Sequence, residues 1–160
     1  MKMKKWFGLL FLGLALMTLA ACGQKTPEEI IKTELKDSYT GYSNSKSYQG
    51  LMFIEGGDTL TFDKKENSIM NSNGEKIYFS VIPEEDIPPA TKGVVASLES
   101  QLKGTDNFTI ITSSEKNPTI KDSEGGYQVA LSDGGKTIRI FELSRSPRDY
   151  GYYDFSGKAE

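Results

Sequence analysis

The amino-acid sequence predicts an α+β fold, in which an antiparallel sheet of about seven strands carries a helix on one face. Apolar and polar residues alternate with a period of two in several stretches after Tyr48, which is typical of strands. Short turns separate these stretches, and Asn73-Gly74 is a strong signal for a tight hairpin. Between two groups of such stretches, residues from about 90 to 103 have the apolar spacing of a helix.

An N-terminal helix is predicted from about residue 27 to 37. Thr26 and Glu29 have the spacing of a capping box, in which each side chain accepts a hydrogen bond from the other's backbone N–H. Pro27 suits the first helical position, where its missing N–H would have no partner. The Ser, Tyr, Gly and Asn residues of 38–47 then indicate a linker or a long loop.

The predicted strands fall into two groups, one before and one after the second helix. Residues 51–54 are apolar on both faces, as expected for a strand near the centre of a sheet. The strands are predicted at 48–54, 59–63, 68–71, 76–82, 108–112, 127–131 and 137–143.

The second helix, over residues 90–103, is predicted to pack on the sheet through one apolar stripe. A proline-rich segment, 83–89, precedes it and ends the strand before it, because proline cannot donate to a sheet ladder. Gly104 is placed to end the helix. The stripe consists of Val94, Val95, Leu98 and Leu102.

The first 22 residues have the pattern of an export signal. Three lysines precede an apolar run, residues 6–19, which is short for a membrane-spanning helix. The tetrapeptide Leu19-Ala20-Ala21-Cys22 resembles the lipobox of bacterial lipoproteins. The resemblance implies cleavage before Cys22 and a diacylglyceryl group on its sulfur, with two acyl chains that together give stable membrane anchoring.

The expected organisation is therefore a signal peptide (1–21), a lipid-attached spacer with a short helix and a loop (22–47), and one α+β domain (48–160). The 16 lysines and three arginines are typical of low-GC Gram-positive bacteria. This usage predicts a location on the outer face of the cytoplasmic membrane.

Composition excludes several functions. After cleavage, 16 basic residues face 22 acidic ones, and the resulting net charge of −6 argues against nucleic-acid binding. The chain has no histidine, and its single cysteine is Cys22, so zinc sites of the usual kind and histidine-dependent triads are excluded. We expect no cofactor and no metal.

The remaining motifs favour structural roles. Residues 84–86 (Glu-Glu-Asp) could form a carboxylate cluster for acid–base chemistry, but a solvated loop bounded by prolines is the simpler interpretation. Residues 122–126 lack the spacing of an EF-hand loop and are interpreted as a turn. The Gly-Gly pairs at 56–57 and 134–135 lie between strands and continue into no phosphate-binding motif.

The C-terminal segment holds four aromatic residues within six positions: Tyr150, Tyr152, Tyr153 and Phe155. Two interpretations are open. The rings could form a binding strip for a glycan or a protein, because tyrosine presents a flat apolar face with a polar tip. Alternatively, the segment could be a final strand whose rings seal the sheet and its core. In an extended chain, Tyr153 and Phe155 would share one face, and Tyr150 and Tyr152 the other.

These observations predict a membrane-anchored extracytoplasmic lipoprotein that binds an envelope protein or glycan without catalysis. Two alternatives remain from other classes. One is an accessory subunit of a membrane transport or secretion complex, which a large exposed apolar patch would favour. The other is a wall hydrolase that depends on carboxylates alone, which would need two carboxylates facing each other in a cleft.

Overall fold

In a computed structural model, which describes residues 25–44, 52–144 and 152–160, eight antiparallel strands close into a barrel. Each strand pairs with its neighbours in the chain, and the last strand pairs with the first. The strands are β1 (Ser38–Ser43), β2 (Gly56–Asp63), β3 (Ser68–Met70), β4 (Lys76–Ile82), β5 (Asp106–Ser113), β6 (Gly125–Ser132), β7 (Thr137–Glu142) and β8 (Asp154–Ala159).

Helical segments precede β1 and connect β4 to β5. They are α1 (Pro27–Thr33), a 3-10 turn (Glu84–Asp86), α2 (Pro89–Ser97) and α3 (Glu99–Leu102). None of the helices within the described ranges has the length and apolar character needed to cross a membrane. The predicted signal peptide (1–21), Cys22 and Tyr150 lie outside the described residues.

The predicted α+β fold is wrong, because the sheet closes on itself instead of remaining open beneath a helix. β8 pairs with β7 on one side and with β1 on the other. β1 lies within 38–47, the segment interpreted as a linker. Met52 and Phe53, predicted to lie in a central strand, instead fill the barrel as part of the β1–β2 connection.

Small residues explain how β1 and β8 approach each other closely enough to close the barrel. Gly41 pairs with Gly157 across these strands. A Cβ atom on Gly41 would lie 2.0 Å from the carbonyl oxygen of Ser156, so no larger residue fits there. Strands with small residues at inward positions show little of the apolar alternation that identifies a strand in sequence.

The helix predicted over 90–103 is also corrected. It is divided at Leu98 into α2 and α3, and no residue of α2 is fully buried. Leu102 packs on the outer wall of the barrel against Ala130 and Phe141, with Val95 and Leu98 partly buried beside them. The main core is inside the barrel, so this helical segment covers only a small second cluster.

One end of the barrel, which we call the α1 end, is closed by the N-terminal helix. Thr26 and Glu29 form the capping box, with both of its hydrogen bonds present. Ile30 and Leu35 are each 2% exposed and belong to the main core. The Tyr39 hydroxyl donates to the Gly135 carbonyl at 2.7 Å, which ties β1 to the β6–β7 turn; burial raises the pKa of this phenol.

The opposite end, which we call the Phe53 end, is closed by aromatic side chains. Phe53 stacks on Tyr153 with ring centroids 4.7 Å apart and meets Tyr127 edge-on at 4.8 Å. Tyr153 in turn lies parallel to Phe155 at 6.2 Å. Next to this cluster, Asp58 accepts hydrogen bonds from the backbone N–H and hydroxyl of Ser72, which fix the β3–β4 hairpin to β2.

Candidate functional site

A groove of about 580 Å³ lies on the outer wall near the Phe53 end, between the helical segment and the start of β8. Its volume is within the range of small-ligand sites. Helical residues form one side: Val94, Ser97, Leu98 and Gln101. The barrel forms the other side: Asn44, Phe141, Glu142, Ser144, Tyr152, Tyr153 and Asp154.

The barrel closure brings the wall of this groove together. Asn44 follows β1, and its backbone N–H donates to the Asp154 carbonyl at 3.2 Å, so two distant parts of the chain meet here. Phe141 on β7 pairs with Asp154 on β8 in the strand register. Residues directly opposite each other in such a pair point to the same face, which is the outer face in this case.

An ion pair borders the groove and fixes the Asp154 carboxylate. Arg139 donates from one terminal nitrogen to both carboxylate oxygens of Asp154, at 3.1 and 3.0 Å. The guanidinium group also lies over the ring of Phe141, 4.4 Å from its centroid. The positive charge therefore compensates the carboxylate, and the groove wall presents hydrogen-bonding groups with little net charge at this point.

The structure separates the described members of the predicted aromatic strip. Tyr153 and Phe155 are 1% and 0% exposed and belong to the core. Tyr152 is 37% exposed and lines the groove. Of these three residues, only Tyr152 presents an exposed ring that could contact a ligand. The rings of Tyr153 and Phe155 are buried behind it.

A second exposed tyrosine, Tyr42, lies on the same outer face and was missed by the sequence analysis. Its side chain is 53% exposed, and it pairs with Ser156 across β1 and β8. Tyr152 precedes β8 and lies four residues before Ser156, a backbone span of up to about 13 Å if the chain is extended there. No sequence signal could have identified Tyr42, because its proximity to Tyr152 depends on the closure of the barrel.

The two acidic segments considered in the sequence, 84–86 and 122–126, do not come together in one site. The 3-10 turn Glu84–Asp86 is exposed throughout. In the loop before β6, the backbone N–H of Thr119 donates a hydrogen bond to the Asp122 carboxylate and lowers its pKa, and Glu124 accepts hydrogen bonds from Ser114. Within the described ranges, no cluster of three or more potential ligand side chains could hold a metal ion.

Two carboxylates, Glu142 and Asp154, line the groove but belong to opposite faces of the wall. Asp154 is on the outer face with Phe141, so the next residue, Glu142, is turned toward the interior. Glu142 is 9% exposed and accepts a hydrogen bond from the backbone N–H of Tyr153 at 3.0 Å. This arrangement differs from the facing pair that carboxylate-dependent hydrolysis requires.

A smaller concave surface, of about 290 Å³, lies on the outer wall over β4, β5 and β6. Its lining includes Ile82, Ile87 and Ile111, and Ile120 at its edge is 44% exposed. The lining combines aliphatic residues with glycine and polar side chains such as Thr109 and has no aromatic ring. The larger groove therefore differs from it in its volume and in the aromatic rings of its lining.

Comparisons with protein-family models, curated proteins and solved structures found no match to this chain.

Proposed function

We propose that this protein is a lipid-anchored envelope lipoprotein that binds a ligand in the outer-wall groove without catalysing a reaction. The observation that carries this function is the groove itself, which places an exposed tyrosine, amide groups and a compensated carboxylate around one concavity. A few polar groups converging on a partly apolar cleft are the usual composition of a binding site.

The filled interior of the barrel supports binding on the outer wall. Tyr39, Phe53, Tyr153 and Phe155 are all at most 1% exposed, and they occupy the space in which a wider barrel would hold a ligand. Their ring contacts extend from Phe53 through Tyr153 to Phe155. A ligand would have to displace this core to enter, whereas the groove is already accessible.

The position of the proposed anchor also supports this function. Lys25 lies against the α1 end through ion pairs with Glu34 and Asp106. A lipid on Cys22 would be three residues from Lys25, or about 10 Å of extended chain. The α1 end would then face the membrane, and the Asn44–Asp154 side of the groove would lie about 20 Å away along the strands.

Blocking the groove tests this function. In Gln101→Trp, a large side chain would fill the space from an exposed helical position. The lipidated protein, purified in detergent, would be titrated against envelope fragments from cells that lack it. We expect the affinity to fall by about tenfold or more, since an obstructed ligand loses most of its contacts.

Ser100→Trp is the matched control, because Ser100 is exposed on the same short helix but does not line the groove. It should bind envelope fragments as the parent does. Equal binding by the parent and both variants would mean that the groove is not the site. A loss of binding in both would indicate a general effect of the added ring.

A further inference from the structure

We infer that the ligand of this groove is a glycan of the cell envelope, held across the outer face by Tyr42 and Tyr152. This inference depends on the proposed binding function and specifies its ligand class. Both rings are exposed, at 53% and 37%: Tyr42 lies on the outer face of the β1–β8 wall beside the groove, and Tyr152 precedes β8 and lines the groove. A tyrosine ring offers a flat apolar surface with a hydroxyl at its edge, which matches a sugar ring with apolar C–H faces and polar edges.

The spacing of the two rings favours an extended ligand. Tyr42 pairs with Ser156, and Tyr152 lies four residues before Ser156, a backbone span of up to about 13 Å in an extended chain. A compact small molecule would reach only one of the rings. A chain of linked sugars could lie along the wall and contact both of them.

The polar groups between and beside the rings suit a hydroxyl-rich, uncharged chain. Asn44 and Gln101 are exposed amides that can both donate and accept hydrogen bonds. The Asp154 carboxylate is held by Arg139, so it can accept from a hydroxyl without presenting an unpaired charge. Planar side chains of this kind can form the directional hydrogen bonds that sugar hydroxyls require.

The same observations disfavour a protein partner at this face. An interface core is expected to be a fully desolvated patch of apolar and aromatic residues. Here the two exposed rings are separated by polar side chains, and Phe141 in the groove wall is only 4% exposed. The fit is therefore better for a ligand that alternates apolar faces and hydroxyl groups.

The test uses the lipidated protein in detergent and cell walls stripped of protein by protease and detergent. We expect binding to persist on stripped walls and to be competed by soluble oligosaccharides that glycoside hydrolases release from those walls. The double variant Tyr42→Ser/Tyr152→Ser should bind stripped walls about tenfold more weakly, given the strength of contacts with two aromatic rings. The double variant with phenylalanine should keep most of the affinity, because the ring faces remain.

Met70→Ser is the matched control, since Met70 is 38% exposed on β3, away from the groove. It should bind as the parent does, and thermal melting should show that all variants are folded. Binding that disappears on protease treatment would identify a protein partner and overturn the glycan, while the effect of Gln101→Trp on untreated envelope would still support the groove. Binding that the released oligosaccharides do not compete, or that the serine variants leave unchanged, would also overturn it.

Discussion

At the α1 end the barrel is closed by a helical segment that buries Ile30 and Leu35 and is held by hydrogen bonds, whereas at the Phe53 end it is closed by stacked aromatic rings. The α1 end depends on a capping box, on the Tyr39–Gly135 hydrogen bond and on a close approach of Gly135 to Glu34. The Phe53 end depends on stacked rings, one of which, Tyr153, also lines the groove. Only at this end, therefore, does a residue that stabilises the barrel also contribute to the proposed binding site.

The largest expected effect comes from removing the ring that closes the Phe53 end. Phe53→Ala should lower the free energy of unfolding by about 3–5 kcal/mol, because it empties a site that contacts both Tyr127 and Tyr153. Urea unfolding measures this change. The control, Phe53→Leu, keeps much of the volume and should cost less, about 1.5 kcal/mol. Similar, small losses for both variants would show that the ring does not close this end.

The parts of the fold that could be predicted from sequence are those specified by neighbouring residues. The capping box of Thr26 and Glu29 is such a case, and so is the Asn73-Gly74 turn between β3 and β4. Met52 and Phe53 were wrongly predicted to lie in a strand, because a short apolar run is equally compatible with a buried loop segment. Periodicity alone does not distinguish them.

Closure of the barrel could not be predicted, because it depends on residues that carry no hydrophobic signal. Gly41 permits the β1–β8 contact because a Cβ atom there would collide with the Ser156 carbonyl, and Gly157 leaves room for the Phe155 ring. For the same reason, most residues of the groove could not be predicted from the sequence. Tyr152 was identified as a candidate from local aromatic density, but Tyr42, Asn44 and Gln101 approach it only through tertiary structure.

An intermediate effect is expected at the α1 end from a pair of adjacent glycines. Both Gly134 and Gly135 have positive φ, at +63° and +82°, so alanine is strained at either position. A Cβ on Gly135 would also lie 1.8 Å from the Glu34 carbonyl oxygen, while one on Gly134 has no neighbour within 4 Å. Gly135→Ala should therefore be less stable than Gly134→Ala by about 1–3 kcal/mol in urea unfolding.

The comparison of these two variants isolates the contact between α1 and the β6–β7 turn, because both include the strain of the left-handed backbone. Equal unfolding free energies would mean that the α1 segment can shift away from residue 135 without loss of stability. Envelope binding should be the same in both variants at temperatures where they are folded, since the groove is next to the other end of the barrel.

The smallest expected effect is at the start of α1, where Thr26→Ala removes the acceptor for the Glu29 N–H at 3.3 Å. The loss should be about 1 kcal/mol, as for other N-caps, and Thr26→Ser should retain most of the stability because serine keeps the hydroxyl. Ile30 and Leu35 are buried in the main core, so α1 should unfold together with the barrel. Urea unfolding should then show the full loss, and amide exchange in α1 should not be faster than in β1. Rapid exchange confined to α1, with unchanged global stability, would instead show that this end opens independently of the barrel that carries the groove.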